Sequence, residues 1–252
     1  MLFWSEYLRE NRMLQALASV IFFFACTMVA CSATAEAPLA LVYDDVGVCA
    51  EECALHAANA AKLAGFQVVT VSAATLDQHL SDKASVWIQP GGNAIEVSDH
   101  LGVEKLSLIR NFVSRGGGYI GFCAGGFLAD VTVDDAGLKP GLGIIPVSAY
   151  EYLENDTQAQ VLPILWEGFP KHLFFQEGAA FASGLKDRVQ VIATYSEGAA
   201  AVIQAVFGKG IVIASGVHPE APEQWLEHEG LSSPDGTHED LAAELVMRAS
   251  RK

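Results

Sequence analysis

Residues 119–127 read Tyr-Ile-Gly-Phe-Cys-Ala-Gly-Gly-Phe, "YIGFCAGGF". An apolar run of strand type ends on a cysteine, and small residues follow at once. A strand that passes through Cys123 and Ala124-Gly125-Gly126 into a helix has the form of a nucleophile elbow, a sharp turn that lifts the side chain off the sheet. A helix starting there would aim backbone N–H groups and a partial positive charge at the sulfur, which favours thiolate. Cys123 is therefore either a nucleophile on a tight turn or a buried small hydrophobe behind a strand.

The flanking sequence supplies the rest of the fold. Upstream, strand-like and helix-like stretches alternate. "LALVYDD" (39–45) reads as a first strand, 51–64 as a helix stopped at Gly65, and "FQVVTVSA" (66–73) as a second strand. A short helix over 75–80 precedes "ASVWIQ" (84–89), a third strand that ends at Pro90-Gly91-Gly92. Apolar residues at Leu101, Leu108, Ile109, Phe112 and Val113 predict a helix over 100–115, stopped by Gly116-Gly117-Gly118. Downstream, 130–185 is irregular and aromatic, read as short strands and loops over the end of the sheet. Strands follow over 188–197 and 199–220, the latter turning at Gly208-Lys209-Gly210, and 239–251 is a closing amphipathic helix. Apolar strands separated by helices predict a single-domain α/β fold, a mostly parallel, flavodoxin-like sheet sandwiched by helices.

Composition narrows the function. Half of the 252 residues are hydrophobic, 18% are charged, and the formal net charge is −15. Such a surface repels phosphate backbones, so no nucleic-acid partner is expected. Residues 1–35 differ from the rest. "LQALASVIFFFACTMVA" (14–30) is an apolar core preceded by Arg9 and Arg12 and followed by small residues, the order of a secretory signal. Ala33-Thr34-Ala35 suits cleavage before Glu36, while "MVAC" (28–31) is similar to a bacterial lipobox that would lipidate Cys31; an uncleaved anchor is the third possibility. All three place residues 36–252 outside the cytoplasm, with Cys31 as the means of membrane anchoring.

With the leader removed, Cys49, Cys53 and Cys123 remain. Cys49 and Cys53 are four residues apart; in a first helical turn their Cα atoms would lie about 6 Å apart, within reach of a disulfide, which an exported protein favours. Two unpaired core cysteines are the alternative. No Cys/His spacing of zinc type occurs, so no metal and no cofactor is expected. His228 and His238 lie in "EHEGLSSPDGTHED", which reads as a surface turn. A redox role for Cys123 lacks a C-x-x-C partner.

Sites in open parallel sheets form at the carboxyl ends of strands. Three such ends stand out: Pro90-Gly91-Gly92, Cys123 and His218-Pro219-Glu220. A thiol nucleophile needs a base, and a histidine base needs a carboxylate to hold its ring. Cys123, His218 and Glu220 supply that set. The amides of Gly92 and Ala124 could serve a developing oxyanion. Gly91, Asn93, Gln176 and Glu177 are the candidate substrate-binding residues, the last two from the aromatic stretch "LWEGFPKHLFFQEGAAF" (165–181).

Together the P-G-G loop, the G-x-C-x-G elbow at Gly121, Cys123 and Gly125, and the terminal His218-Pro219-Glu220 resemble the class I glutamine amidotransferase fold. Within that superfamily, "VYDDVGVC", "IRNFVSRGGGYIGFCAGGFLA" and "SGVHPE" resemble the domain found at the N-terminus of fungal-type biotin–protein ligases and its stand-alone bacterial relatives. The resemblance implies Cys123 as nucleophile, His218 as base, Glu220 as its orienter, and an oxyanion hole from Gly92 and Ala124. Two departures qualify it. Glutamine-hydrolysing members usually carry Gln four residues after the nucleophile, where this chain has Phe127. No synthase domain and no adenylate-forming G-R-G-R-x-G loop occurs in the sequence. The expected activity is therefore neither biotin ligation nor glutamine hydrolysis. It is hydrolysis or acyl transfer on another amide or small peptide, with a ligand-binding module that has lost catalysis as the alternative. The oligomeric state is left open.

Overall fold

The computed structural model describes residues 36–50, 52–81, 83–182 and 188–250. The readings for residues 1–35, Cys31 included, lie outside the described residues. Among the described residues, no helix is long and apolar enough to cross a membrane.

The first half of the chain builds the parallel part of the sheet. Strands β1 (Leu39–Tyr43), β2 (Gln67–Val71), β3 (Ala84–Gln89) and β4 (Gly118–Phe122) are joined through helices α1 (Cys53–Leu63), α2 (Leu76–His79) and α3 (Ala94–Ser114). After the short helix α4 (Ala124–Leu128) come β5 (Ala149–Glu151), β6 (Gln160–Trp166), β7 (Phe169–Phe175), β8 (Ala179–Phe181), β9 (Val189–Tyr195), β10 (Ala200–Phe207) and β11 (Gly210–Ser215). Helices α5 (Glu223–His228) and α6 (Glu239–Ala249) close the chain. The strand order is β2-β1-β3-β4-β11-β10-β9-β6-β7. From β2 to β11 every pairing is parallel. From β11 to β7 every pairing is antiparallel.

The central parallel strands β1, β3 and β4 are largely apolar because both of their faces are covered, whereas the edge strand β2 is partly exposed. Ala40, Val42, Val86, Ile88, Ile120, Phe122 and Ile213 pack on one side with the alanines of α1 and with Leu241, Leu245 and Val246 of α6. Their neighbours Leu41, Tyr43, Trp87, Tyr119 and Val212 point the other way, onto Leu106, Ile109, Phe112 and Val113 of α3. The period-2 alternation of strand side chains thus feeds two cores from one run of sequence. Small residues on α1 (Ala54, Ala57, Ala58, Ala61) let that helix lie close on the sheet.

The structure departs from the sequence reading at several points. Helix α3 starts at Ala94 rather than residue 100, because Asn93 caps it: its side-chain oxygen accepts from the N–H groups of Ile95 and Glu96. A break at Gly102 (φ 62°, ψ 170°) separates this first part from the periodic stretch that carried the prediction. The aromatic middle is more regular than expected. β6 and β7, seven residues each, form a hairpin whose two-residue link, Glu167-Gly168, has positive φ at both positions (49° and 85°), as tight hairpins of matching twist require. Finally, α5 has no counterpart in the sequence reading, and α6 ends at Ala249.

Candidate active site

Cys123 sits between β4 and α4 with φ 47° and ψ −105°, a conformation costly for a residue with a side chain, on the order of 1–3 kcal/mol. The surroundings enforce it. Cys123 N–H donates to the Ser215 carbonyl of β11 at 2.8 Å. The buried Tyr119 hydroxyl donates to the Gly125 carbonyl at 2.8 Å. Gly125 packs so closely on β3 that an added Cβ would meet the Gln89 carbonyl at 2.4 Å. The turn therefore tolerates no side chain at 125, and the cysteine absorbs the strain. Because α4 has only five residues, its dipole is small. The more direct contribution is the Ala124 N–H, which has no acceptor among the described residues.

His218 lies three residues beyond the end of β11, and its N–H donates to the Phe174 carbonyl of β7 at 2.9 Å. The ring is 5% exposed and Glu220 1%. His218 Nδ1 and Glu220 Oε1 are 2.8 Å apart, which leaves Nε2 for a proton exchanged with the thiol. Phe174 and Trp225 stand edge-on to the imidazole, with ring centroids at 5.8 and 5.5 Å. Burial alone would disfavour the charged ring. The Glu220 carboxylate and the neighbouring Cys123 outweigh it, and the His218 pKa is pushed up to about 10. Glu220 Oε2 has no partner among the described residues, so the imidazolium is the main compensation for a buried carboxylate.

Gly91 is the point around which these groups meet. A Cβ added there would lie 2.7 Å from His218 Cε1, 3.3 Å from Cys53 Sγ and 3.6 Å from Cys123 Cβ. Only hydrogen fits, so Gly91 is a close-approach position, and it does not line the cavity in front of the thiol. That cavity has a volume of about 860 Å³ and is lined by Cys123, His218, Gly92, Phe174, Gln176 and Glu177, among others. Gly92 N–H is without an acceptor among the described residues: the bridge between Val48 and Gly92 uses the amides of Cys49 and Asn93 instead. Asn93 is outside the lining, and its side-chain oxygen is committed to the α3 cap. Gln176 meets Cys123 through its main-chain carbonyl, which accepts from Sγ at 3.6 Å, while its side chain donates to the Thr157 carbonyl.

Cys49 and Cys53 form a disulfide, with Cα atoms 5.6 Å apart, and both line the same cavity. Sequence reasoning missed most of the opposite wall: His56, Gln224, Trp225, His228 and Glu229. Its signal was the amphipathic "PEQWLEHEG" directly after the histidine motif, with Trp225 and Leu226 buried. Among the described residues, no group of three or more His, Cys, Asp or Glu is placed to hold a metal ion.

Residues 39–139 match the family profile described as biotin-protein ligase, N terminal. The biotin–protein ligase of Schizosaccharomyces pombe (strain 972 / ATCC 24843) is 28% identical over 175 residues, a stretch covering 60% of this chain and 28% of the ligase. The chain thus spans little more than a quarter of that relative. Among solved structures, a glutamine amidotransferase aligns with TM-score 0.57 and 20% identity over 75% of this chain and all of that one. A cytoplasmic protein of Salmonella typhimurium aligns with TM-score 0.56 and 15% identity over 85% of this chain and all of that one. The fold is therefore glutamine amidotransferase-like, with biotin–protein ligase N-terminal similarity over its first half, in line with the resemblance read from the motifs.

Two outcomes follow from this geometry. His218 has a folded pKa above its unfolded value near 6.5, so its contribution to stability is complete below about pH 6.5 and is lost as pH rises toward 10. Thermal unfolding from pH 6 to 10 should fall more steeply for the native protein than for Glu220→Gln; parallel curves would mean the imidazole is not held charged. In urea unfolding, Cys123→Gly should be more stable than Cys123→Ala by about 1 kcal/mol, because only glycine relaxes the turn. Equal stabilities would show that the turn is not strained.

Proposed function

We propose that this is a cysteine-dependent amide hydrolase or acyltransferase. The observation that supports this most is the buried His218–Glu220 pair facing a thiol on a strained turn. In this reading the Cys123 thiolate attacks the carbonyl carbon of an amide. The oxyanion that forms takes hydrogen bonds from the N–H groups of Gly92 and Ala124. His218 Nε2–H protonates the leaving amine as the C–N bond breaks, which leaves a thioester on Cys123 and a neutral imidazole. Water, deprotonated by His218, or a second amine then attacks the thioester and restores the thiolate. Glu220 holds the ring orientation and stabilises the imidazolium throughout.

Phe127 favours the competing reading, a binding module that keeps the shape of the site without turnover. The position where glutaminases usually carry glutamine is half-buried against the core, so a polar substrate contact is missing there. Alkylation of Cys123 separates the two. With neutral iodoacetamide, read by peptide mass spectrometry, the native protein should label rapidly at pH 6, and His218→Ala should label slowly until the pH nears about 8.5, the ordinary thiol value. Slow labelling with that ordinary profile in both proteins would favour the binding module.

We also propose that the domain works outside the cytoplasm, on the strength of the leader-type residues 1–35. The Cys49–Cys53 bond is of a kind that persists in oxidising compartments. If Cys31 is the lipid attachment site, Cys31→Ser should move the expressed protein from the membrane fraction to the soluble fraction. An unchanged membrane fraction would rule out anchoring through that residue.

A further inference from the structure

The cavity in front of Cys123 is one-sided in charge. Glu52, Glu177 and Glu229 line it with three histidines, His56, His218 and His228, and among the described residues no lysine or arginine lines it; the charge of His218 is matched by Glu220 behind it. None of the three carboxylates has an ion-pair partner among the described residues. They arrive from distant points of the chain: Glu52 precedes α1, Glu177 lies between β7 and β8, and Glu229 follows α5. Glu52 (φ 61°) and Glu177 (φ 47°) also occupy backbone positions that glycine or asparagine would fill more easily. Uncompensated like charges gathered around an apolar wall of Phe174 and Trp225 repel one another, and they concentrate cations from solution.

The same lining disfavours carboxylates. An amino acid such as free glutamine would bring its α-carboxylate against these carboxylates, with no lysine or arginine among the described lining residues to receive it and with His218 already paired to Glu220. A neutral or cationic amide meets no such penalty.

Resting on the reading of Cys123 as an acyl-accepting thiolate, we propose that the site selects cationic amides. Its substrate is an amide or peptide that carries an ammonium or guanidinium group on the part lying against Glu52, Glu177 and Glu229, and has no free carboxylate near the scissile bond. The three carboxylates act in selection, and the thiol and histidine in chemistry.

The test uses three methanethiosulfonates, which convert the thiol to a mixed disulfide and release sulfinate: a trimethylammonioethyl and a sulfonatoethyl reagent of comparable size, and a smaller neutral methyl reagent. The cationic-to-anionic rate ratio at Cys123, normalised to that of free cysteine, should be about tenfold and should shrink as salt shortens the Debye length. The triple variant Glu52→Gln, Glu177→Gln, Glu229→Gln should remove most of that preference. A control with Glu104→Gln, Glu154→Gln and Asp240→Asn, at exposed positions outside the cavity, corrects for the overall negative charge and should keep it. A ratio that the cavity variant leaves unchanged, or that both variants lower equally, overturns the proposal. The rate with the neutral reagent reports the thiolate separately: slow neutral labelling with a preserved ratio would sink the catalytic reading and spare the charge selection. If no reagent reaches Cys123, calorimetry on Cys123→Ser decides, with tri-lysine amide expected to bind and triglutamate not; equal binding or none overturns the proposal.

Discussion

The hydrogen bond from Cys123 N–H to the Ser215 carbonyl ties the site to the centre of the sheet. It continues the parallel ladder in which Tyr119, Ile120, Gly121 and Phe122 face Val212, Ile213, Ala214 and Ser215. Two chain segments about ninety residues apart are thereby held in one register. Cys123 follows directly from one of them and His218 from the other, so the spacing of thiol and imidazole is inherited from strand pairing. A slip of one residue would turn both core faces outward and separate the two side chains. The site can be no less ordered than the centre of the sheet.

The electrostatics follow from that placement. His218 and Glu220 are buried where a single charge would be expensive, and each is tolerable because of the other. The strained turn opposite adds the Cys123 thiol, which further favours the protonated ring. Outside this buried group, the walls of the cavity are acidic and open to solvent. An inner charge balance that must close locally thus sits behind an outer rim of carboxylates without ion-pair partners among the described residues.

Much of this was legible in the sequence because the parallel strands are short, apolar and punctuated by glycine and proline. "YIGFC" and "GIVIASGVHPE" placed a cysteine and a histidine at one edge of the sheet without reference to any contact. Other parts were hidden for definable reasons. The start of α3 depends on a cap at Asn93, and Gly102 breaks the periodicity that would have extended the helix backward. The β6–β7 hairpin turns on Glu-Gly instead of the stronger Asn-Gly signal, and its strand "QVLPILW" contains a proline. Gly91 was read as a binding residue because glycine beside a strand end suggests approach of a ligand. Here the approaching groups are the protein's own imidazole and disulfide. The wall from α5 was missed because Trp225 and Leu226 are the only buried side chains in a six-residue helix, too short a run for periodicity to register.

The bridge between Phe174 and His218 joins parts of the sheet that are far apart in strand order. β7 is the last strand on the antiparallel side, four places from β11, yet its end meets the residues that follow β11. The strands from β11 to β7 must therefore roll up on themselves, and His218 sits where the roll closes. Closure covers part of an edge that would otherwise be open to pairing with other chains. It also means that the histidine backbone cannot shift without unrolling the strands behind it. Any adjustment of the cavity then falls to its rim, while the thiol–imidazole geometry is set as firmly as the curvature of the sheet.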